Sequence, residues 1–151
     1  MAHIVIVGAG LGGMPAAYEM RERLPREHKV TVVSAVDYFQ FVPSNPWLAV
    51  GWRKREEIVL TIAPLLERKG IQFIAKPVTT LDAAGSKLVL AGGTGDEQVL
   101  PYDYLVITTG PKLSFDEVPG AGPHGGHTHS VCSVDHAEAF WKDYQEFLKN
   151  P

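Results

Sequence analysis

The stretch that most constrains this chain is His3-Ile4-Val5-Ile6-Val7-Gly8-Ala9-Gly10-Leu11-Gly12-Gly13. Five residues of a buried strand run without a break into a glycine-rich turn, and Pro15 to Met20 continue as a helix. Gly8, Gly10 and Gly13 fall in the G-x-G-x-x-G spacing. The first glycine permits the tight turn, the second lets backbone approach a pyrophosphate, and the third lets helix and strand pack closely. The helix that follows offers unpaired N–H groups and a positive dipole end to phosphate oxygens. An isolated G-x-G-x-x-G is weak evidence; here the flanking strand and helix supply the context that makes it a dinucleotide signature.

Composition narrows the remaining choices. At 151 residues the chain can bury one proper core, and 45% hydrophobic with 21% charged residues places it among globular proteins. A formal net charge of -3 gives no footprint for nucleic acid. No apolar run approaches a membrane span, and Met1-Ala2-His3 leads straight into the first strand, so no secretory signal is expected. Cys132 is the single cysteine, which excludes an internal disulfide and dithiol chemistry within this chain.

The first helix is expected from about Gly12 to Leu24, ended by Pro25, with a β-branched strand at Lys29 to Val33 behind it. Such βαβ units usually carry an acid at the end of the second strand to grip ribose hydroxyls. Ser34 stands there instead, with Asp37 three residues on, and this leaves the nucleotide open. Residues 37–48, with Phe39, Phe41, Pro43, Pro46 and Trp47, suit neither regular structure; they either line a planar ligand or form an aromatic mini-core under a loop. Trp52 to Glu57 reads as a solvated charge run. Thr61 is expected to cap a helix over 62–69 with Gly70 as its stop, and Ile71 to Ile74 is the next strand.

From Pro77 the period changes to two. Val78 to Leu81, Lys87 to Leu90 and Gln98 to Leu100 make a three-stranded meander, broken at Ala84-Gly85 and at Ala91 to Asp96, in place of a second crossover helix. Tyr102 to Gly110 is then a buried strand with a tight turn, and ligands of parallel sheets lie at carboxyl ends of strands. Thr109 and Gly110 are therefore expected near Gly8 and Gly10. His124, His127 and His129 lie in a polar Gly/Pro-rich loop without the spacing of a metal set, and no metal centre is expected. Val134 to Lys149 forms an amphipathic helix, with Val134, Ala137, Phe140, Trp141, Tyr144 and Leu148 in a stripe and Ser133 as cap. A thiol at Cys132, just before that cap, feels the positive end of the helix, which favours the thiolate.

The strand-glycine start, Phe41-Val42-Pro43-Ser44-Asn45-Pro46-Trp47, Tyr102 to Gly110 and Cys132-Ser133-Val134-Asp135-His136-Ala137 occur in this order. Together they closely resemble the sulfide:quinone oxidoreductases, across essentially the whole chain. The resemblance implies an α/β, Rossmann-like FAD-binding domain with a parallel sheet, helices and the meander as crossover. It also implies that residues 1–151 are the N-terminal part of an FAD/NAD(P)-binding domain belonging to a longer protein. The implied chemistry is oxidation of sulfide to sulfane sulfur or polysulfide, with electrons passing through FAD to a membrane quinone. Gly8, Ala9, Gly10, Gly12, Gly13 and Ser34 would hold the ADP half. Pro43 and Ser44 would sit by the flavin, Val78 would meet the adenine end through its backbone, and Thr109 and Gly110 would approach the pyrophosphate. Cys132 resembles the first of the family's three functional cysteines, and His136 its active-site histidine. The other two cysteines, the second nucleotide-type domain and the peripheral membrane contact would lie beyond Pro151. A type II NADH:quinone dehydrogenase, a flavocytochrome sulfide dehydrogenase and a non-catalytic nucleotide-binding module share enough of this pattern to stand as alternatives.

Overall fold

In a computed structural model that describes residues 1–92 and 97–151, the chain divides into two compact units. The first comprises residues 1–39 and 61–110, the second residues 40–60 and 111–151.

The first unit is built on β1 (His3–Val7), α1 (Gly13–Arg23), β2 (Lys29–Ser34), β5 (Gln72–Ala75) and β9 (Tyr104–Ile107). The chain leaves it through β3 (Tyr38–Gln40) and re-enters through β4 (Val59–Thr61). Four strands form an all-parallel sheet in the order β5-β2-β1-β9. Such a sheet must be covered on both faces, and the alternation along β1 shows how. Ile4 and Ile6 face one layer with Met14 and Ala17 of α1 and with Ile62 and Leu66 at α4 (Ala63–Glu67). Val5 and Val7 face the other, with Leu88, Leu90 and Leu100 of the meander.

That meander is β6 (Val78–Asp82), β7 (Lys87–Leu90) and β8 (Gln98–Pro101), antiparallel throughout, as the two-residue period requires. Its first turn is fixed by the Asp82 carboxylate accepting from Gly85 N at 2.8 Å. The second turn, expected over 91–96, falls partly at residues 93–96, outside the described residues. Behind α1, the buried Arg21 guanidinium donates to the carbonyls of His28 (2.6 Å), Leu24 (2.9 Å) and Pro25 (2.7 Å), tying the helix end to the start of β2.

Two expectations need correction. Thr61 does not cap a helix: it ends β4, and α4 spans only Ala63–Glu67 with Ile62 before it and no side-chain cap. Ile62 is fully buried and its N donates to Asp37 O at 2.9 Å, so the chain stays extended through Thr61. The charge run is not wholly solvated either, because Arg55 begins α3 (Arg55–Ile58) and pairs with Asp135 at 2.6 Å and Glu138 at 3.1 Å.

The second unit contains a 3-10 turn (Val42–Ser44), α2 (Asn45–Ala49), α3 and α5 (Val134–Lys149). Helix α5 has the expected bounds, and Ser133 Oγ accepts from His136 N. Its apolar stripe is only half used within the unit: Val134 and Ala137 are buried, whereas Tyr144 and Leu148 are exposed, as is Phe147. Trp141 packs its ring over Gly51, whose φ of +75° and tight approach both require glycine.

Candidate functional site

Strand register decides what meets at the carboxyl edge of the sheet. Val7 is opposite Val33 on one side and Ile107 on the other, so the chain exits β1, β2 and β9 in one row as Gly8, Ser34 and Thr108. Gly8 N donates to Val33 O at 2.8 Å and Thr108 N to Val7 O at 2.8 Å, which pins the row.

Gly8 has a φ of +104°, and a Cβ there would run into the Thr108 carbonyl. A Cβ on Gly13 would strike the Gly8 carbonyl and come within 2.7 Å of Thr108 Oγ1. Glycine is thus required at both positions by backbone packing alone. Gly10 differs, because nothing lies within 4 Å of where its Cβ would be, so that side of the turn is open. Beyond it α1 starts without a side-chain cap and without an acid in its first turn. Met14 N donates to Gly10 O at 3.1 Å and Pro15 has no N–H. It is therefore the open backbone of the turn itself, with no acid in the first helical turn, that forms a cradle suited to an anion such as a diphosphate. Ala9 is buried, and a Cβ on Gly12 would meet only the Thr108 methyl and Cβ carbons, at 3.7 Å.

Ser34 is buried to 8% exposure, and its Oγ accepts from Val36 N at 3.3 Å, leaving the hydroxyl proton to donate. Thr109 and Gly110 are exposed just past β9, with Gly110 at φ +74°. The residue that touches the glycines is Thr108, which sequence reasoning passed over. Its Oγ1 lies 3.0 Å from both Val7 O and Gly8 O. The two-residue period held the clue: Val106 packs on the α1 face, so Thr108 must point there too. Val78 begins β6 opposite Leu90, next to an irregularity in register before Thr80. A groove of about 610 Å³ lies beside Ile4, Met20, Leu24 and Tyr104, and none of the candidate cofactor-binding or catalytic residues lines it.

In the second unit the structure brings together two stretches far apart in sequence. Asn45, fully buried, donates from Nδ2 to Val131 O at 3.0 Å, and Gln40 Oε1 accepts from Val134 N at 2.8 Å. These amides hold both flanks of Cys132, and neither was singled out for that role. Cys132 is exposed, its N donating to Ser130 Oγ at 3.1 Å. Ser44 is buried and Pro43 exposed in the 3-10 turn before α2. His136 Nε2 faces His124 Nε2 at 3.3 Å, its Nδ1 is buried without a hydrogen-bond partner among the described residues, and Phe115 lies against its ring at 5.9 Å. His129 is separate, 3.7 Å from Asp143.

A parallel sheet with a glycine turn at its carboxyl edge, feeding the uncapped start of α1, defines a dinucleotide-binding domain of the Rossmann type. Residues 2–146 match the family described as pyridine nucleotide-disulphide oxidoreductase, and the chain belongs to it. It is 39% identical over 149 residues to the sulfide-quinone reductase of Aquifex aeolicus (strain VF5), covering 99% of this chain and 33% of that protein. The X-ray structure of the sulfide:quinone oxidoreductase from Aquifex aeolicus superposes with a TM-score of 0.86 at 38% identity, over 100% of this chain and 33% of that one. The external NADH-ubiquinone oxidoreductase 2 of Saccharomyces cerevisiae is 29% identical over 122 residues, 78% of this chain and 22% of that protein. The chain therefore spans about a third of the length of the sulfide-quinone relative, and less of the NADH relative.

Proposed function

We propose that this chain is the N-terminal FAD-binding part of a sulfide:quinone oxidoreductase. The reading is carried by the likeness to a sulfide-quinone reductase over 99% of the chain at 39% identity. The turn suits a dinucleotide: the space over Gly10 is open, α1 is uncapped, and Ser34 keeps a donor where a ribose acid is usual. Gly8, Ala9, Gly10, Gly12, Gly13 and Ser34 would hold the ADP half, Val78 the adenine end, Thr109 and Gly110 the pyrophosphate, and Pro43 and Ser44 the flavin side. FAD, when bound, supplies a two-electron acceptor. Cys132 offers an exposed thiol at the head of α5 for attack on sulfur, and His136 offers an imidazole to carry the proton released. Sulfide and quinone are the substrates of the complete enzyme, with peripheral membrane contact made by residues outside this chain. Among the described residues no helix is long and apolar enough to cross a membrane.

The test is anaerobic titration of the complete, FAD-loaded gene product, followed by flavin absorbance. Sulfide should bleach the flavin, and Cys132→Ser should abolish that reduction while FAD stays bound. Bleaching by NADH with no response to sulfide would select the second reading, an NADH:quinone dehydrogenase, which the yeast relative favours. Binding of FAD without reduction by either donor would leave a nucleotide-binding module.

A further inference from the structure

The histidine-rich segment holds one arrangement that sequence spacing concealed. His124 stands among His127 and His129 in the chain, yet its partner in space is His136, twelve residues on and in the first turns of α5. The two Nε2 atoms are 3.3 Å apart, the ring centres 5.3 Å apart, and the planes inclined at 66°. With Zn–N bonds of about 2.0–2.1 Å in a tetrahedral field, two imidazole nitrogens lie about 3.3–3.4 Å apart and their ring centres about 5.2 Å apart. The observed pair has both spacings. As a hydrogen bond the same contact is long, and it can use only one proton between two acceptor nitrogens.

We infer that His124 and His136 form a two-imidazole site for a divalent transition-metal ion of the zinc class. Imidazole nitrogen is a good ligand for zinc, copper and nickel. Among the described residues no third histidine, cysteine or carboxylate joins the pair, so water completes the coordination and the ion exchanges freely. His136 Nδ1, buried and without a hydrogen-bond partner among the described residues, adds no support from behind the ligating ring, which keeps the affinity modest. Occupation would tie the 112–129 segment to the start of α5 and take the His136 nitrogen out of any proton transfer. The site stands on geometry alone and does not depend on the function proposed above.

Calorimetric titration of Zn2+ into the full chain tests it, with Co2+ as a spectroscopic substitute. One equivalent should bind, and His124→Gln and His136→Gln should each weaken it at least about tenfold, by loss of one of only two protein ligands. His129→Gln and His127→Gln should leave the affinity unchanged, and tetrahedral Co2+ bands should vanish in the His124→Gln protein. Both ligand positions are at the surface or half-buried, and circular dichroism checks that the variants fold. Three results would each overturn the site: no binding at millimolar Zn2+, binding that survives both substitutions, or binding lost in Cys132→Ser but kept in His124→Gln.

Discussion

The glycine turn and the Cys132 segment solve the same problem, holding backbone in a fixed path, by opposite means. At the turn the restraint is the backbone itself. Gly8 and Gly13 let three chain segments approach until only hydrogen atoms fit between them, and no charged side chain takes part. Around Cys132 the restraint comes from side chains reaching across: Asn45 to Val131 O, Gln40 to Val134 N, Ser133 to His136 N and Arg55 to Asp135 and Glu138. The first arrangement fails when atoms are added. The second fails when atoms are removed or exchanged.

Adding one methyl group therefore separates the two regions most sharply. Gly13→Ala drives a Cβ into the Gly8 carbonyl, where neither strand nor helix can move without opening the core, and about 3 kcal/mol or more of stability should go. Gly8→Ala should be equally severe, because it adds strain at φ +104°. Gly12→Ala is the control: with its nearest neighbours at 3.7 Å and a helical backbone, it should be neutral or slightly stabilising. Urea denaturation of the three variants measures this, and equal losses at Gly12 and Gly13 would remove backbone contact as the cause.

In the side-chain-held region the corresponding probe is Asn45→Asp, which keeps the shape and turns a buried donor into an acceptor facing Val131 O. A cost of about 2–3 kcal/mol is expected, since a buried polar pair is broken and one partner is left unsatisfied. Thiol-reagent kinetics at Cys132 supply a local readout: labelling should change in Asn45→Asp and not in Gly12→Ala. Smaller again are two substitutions of about 1 kcal/mol each, comparable in size but distinct in origin. Ser133→Ala removes the cap of α5, and Thr108→Val removes the hydroxyl bonded to the Val7 and Gly8 carbonyls while keeping the shape that packs on Gly12. If Thr108→Val costs nothing, steric packing alone holds the turn.

The same division explains what could be read in the sequence. The parallel core, the meander and α5 were legible because burial imposes a period, and periods survive in a one-dimensional string. Glycine spacing was legible for the same reason, since each glycine answers a local backbone demand. Thr108 was one residue away from the pair expected at the strand end, and the alternation along β9 would have selected it. Asn45 and Gln40 left no such trace. Their hydrogen bonds join residues 86 and 94 positions apart, and nothing in spacing or composition says which amide will cross that gap. The failed cap at Thr61 has the reverse cause, a sound local signal overridden by burial of Ile62 in the core.

The smallest effect concerns protons, and it sharpens the contrast because it belongs to the sheet and not to the polar network. His3, at the start of β1, has its pKa lowered from the ordinary 6.5, first by desolvation and then by Lys29, against smaller opposing effects of Pro101 O and Asp103. Its Nε2 meets Thr31 Oγ1 at 2.8 Å, and Thr31 Oγ1 donates onward to Gln72 Oε1 at 3.2 Å. Because the folded pKa lies below the unfolded one, the unfolded chain binds more protons between the two values, and stability rises with pH there. The contribution is complete above about 6.5 and is lost as pH falls through 6.5 toward the folded value. His3→Gln keeps a donor for Thr31 without the titration, so its stability should fall less between pH 8 and pH 5 than that of the parent chain. Paired urea titrations at the two pH values measure the difference. A parallel fall in both proteins would show that acid lability does not arise at His3.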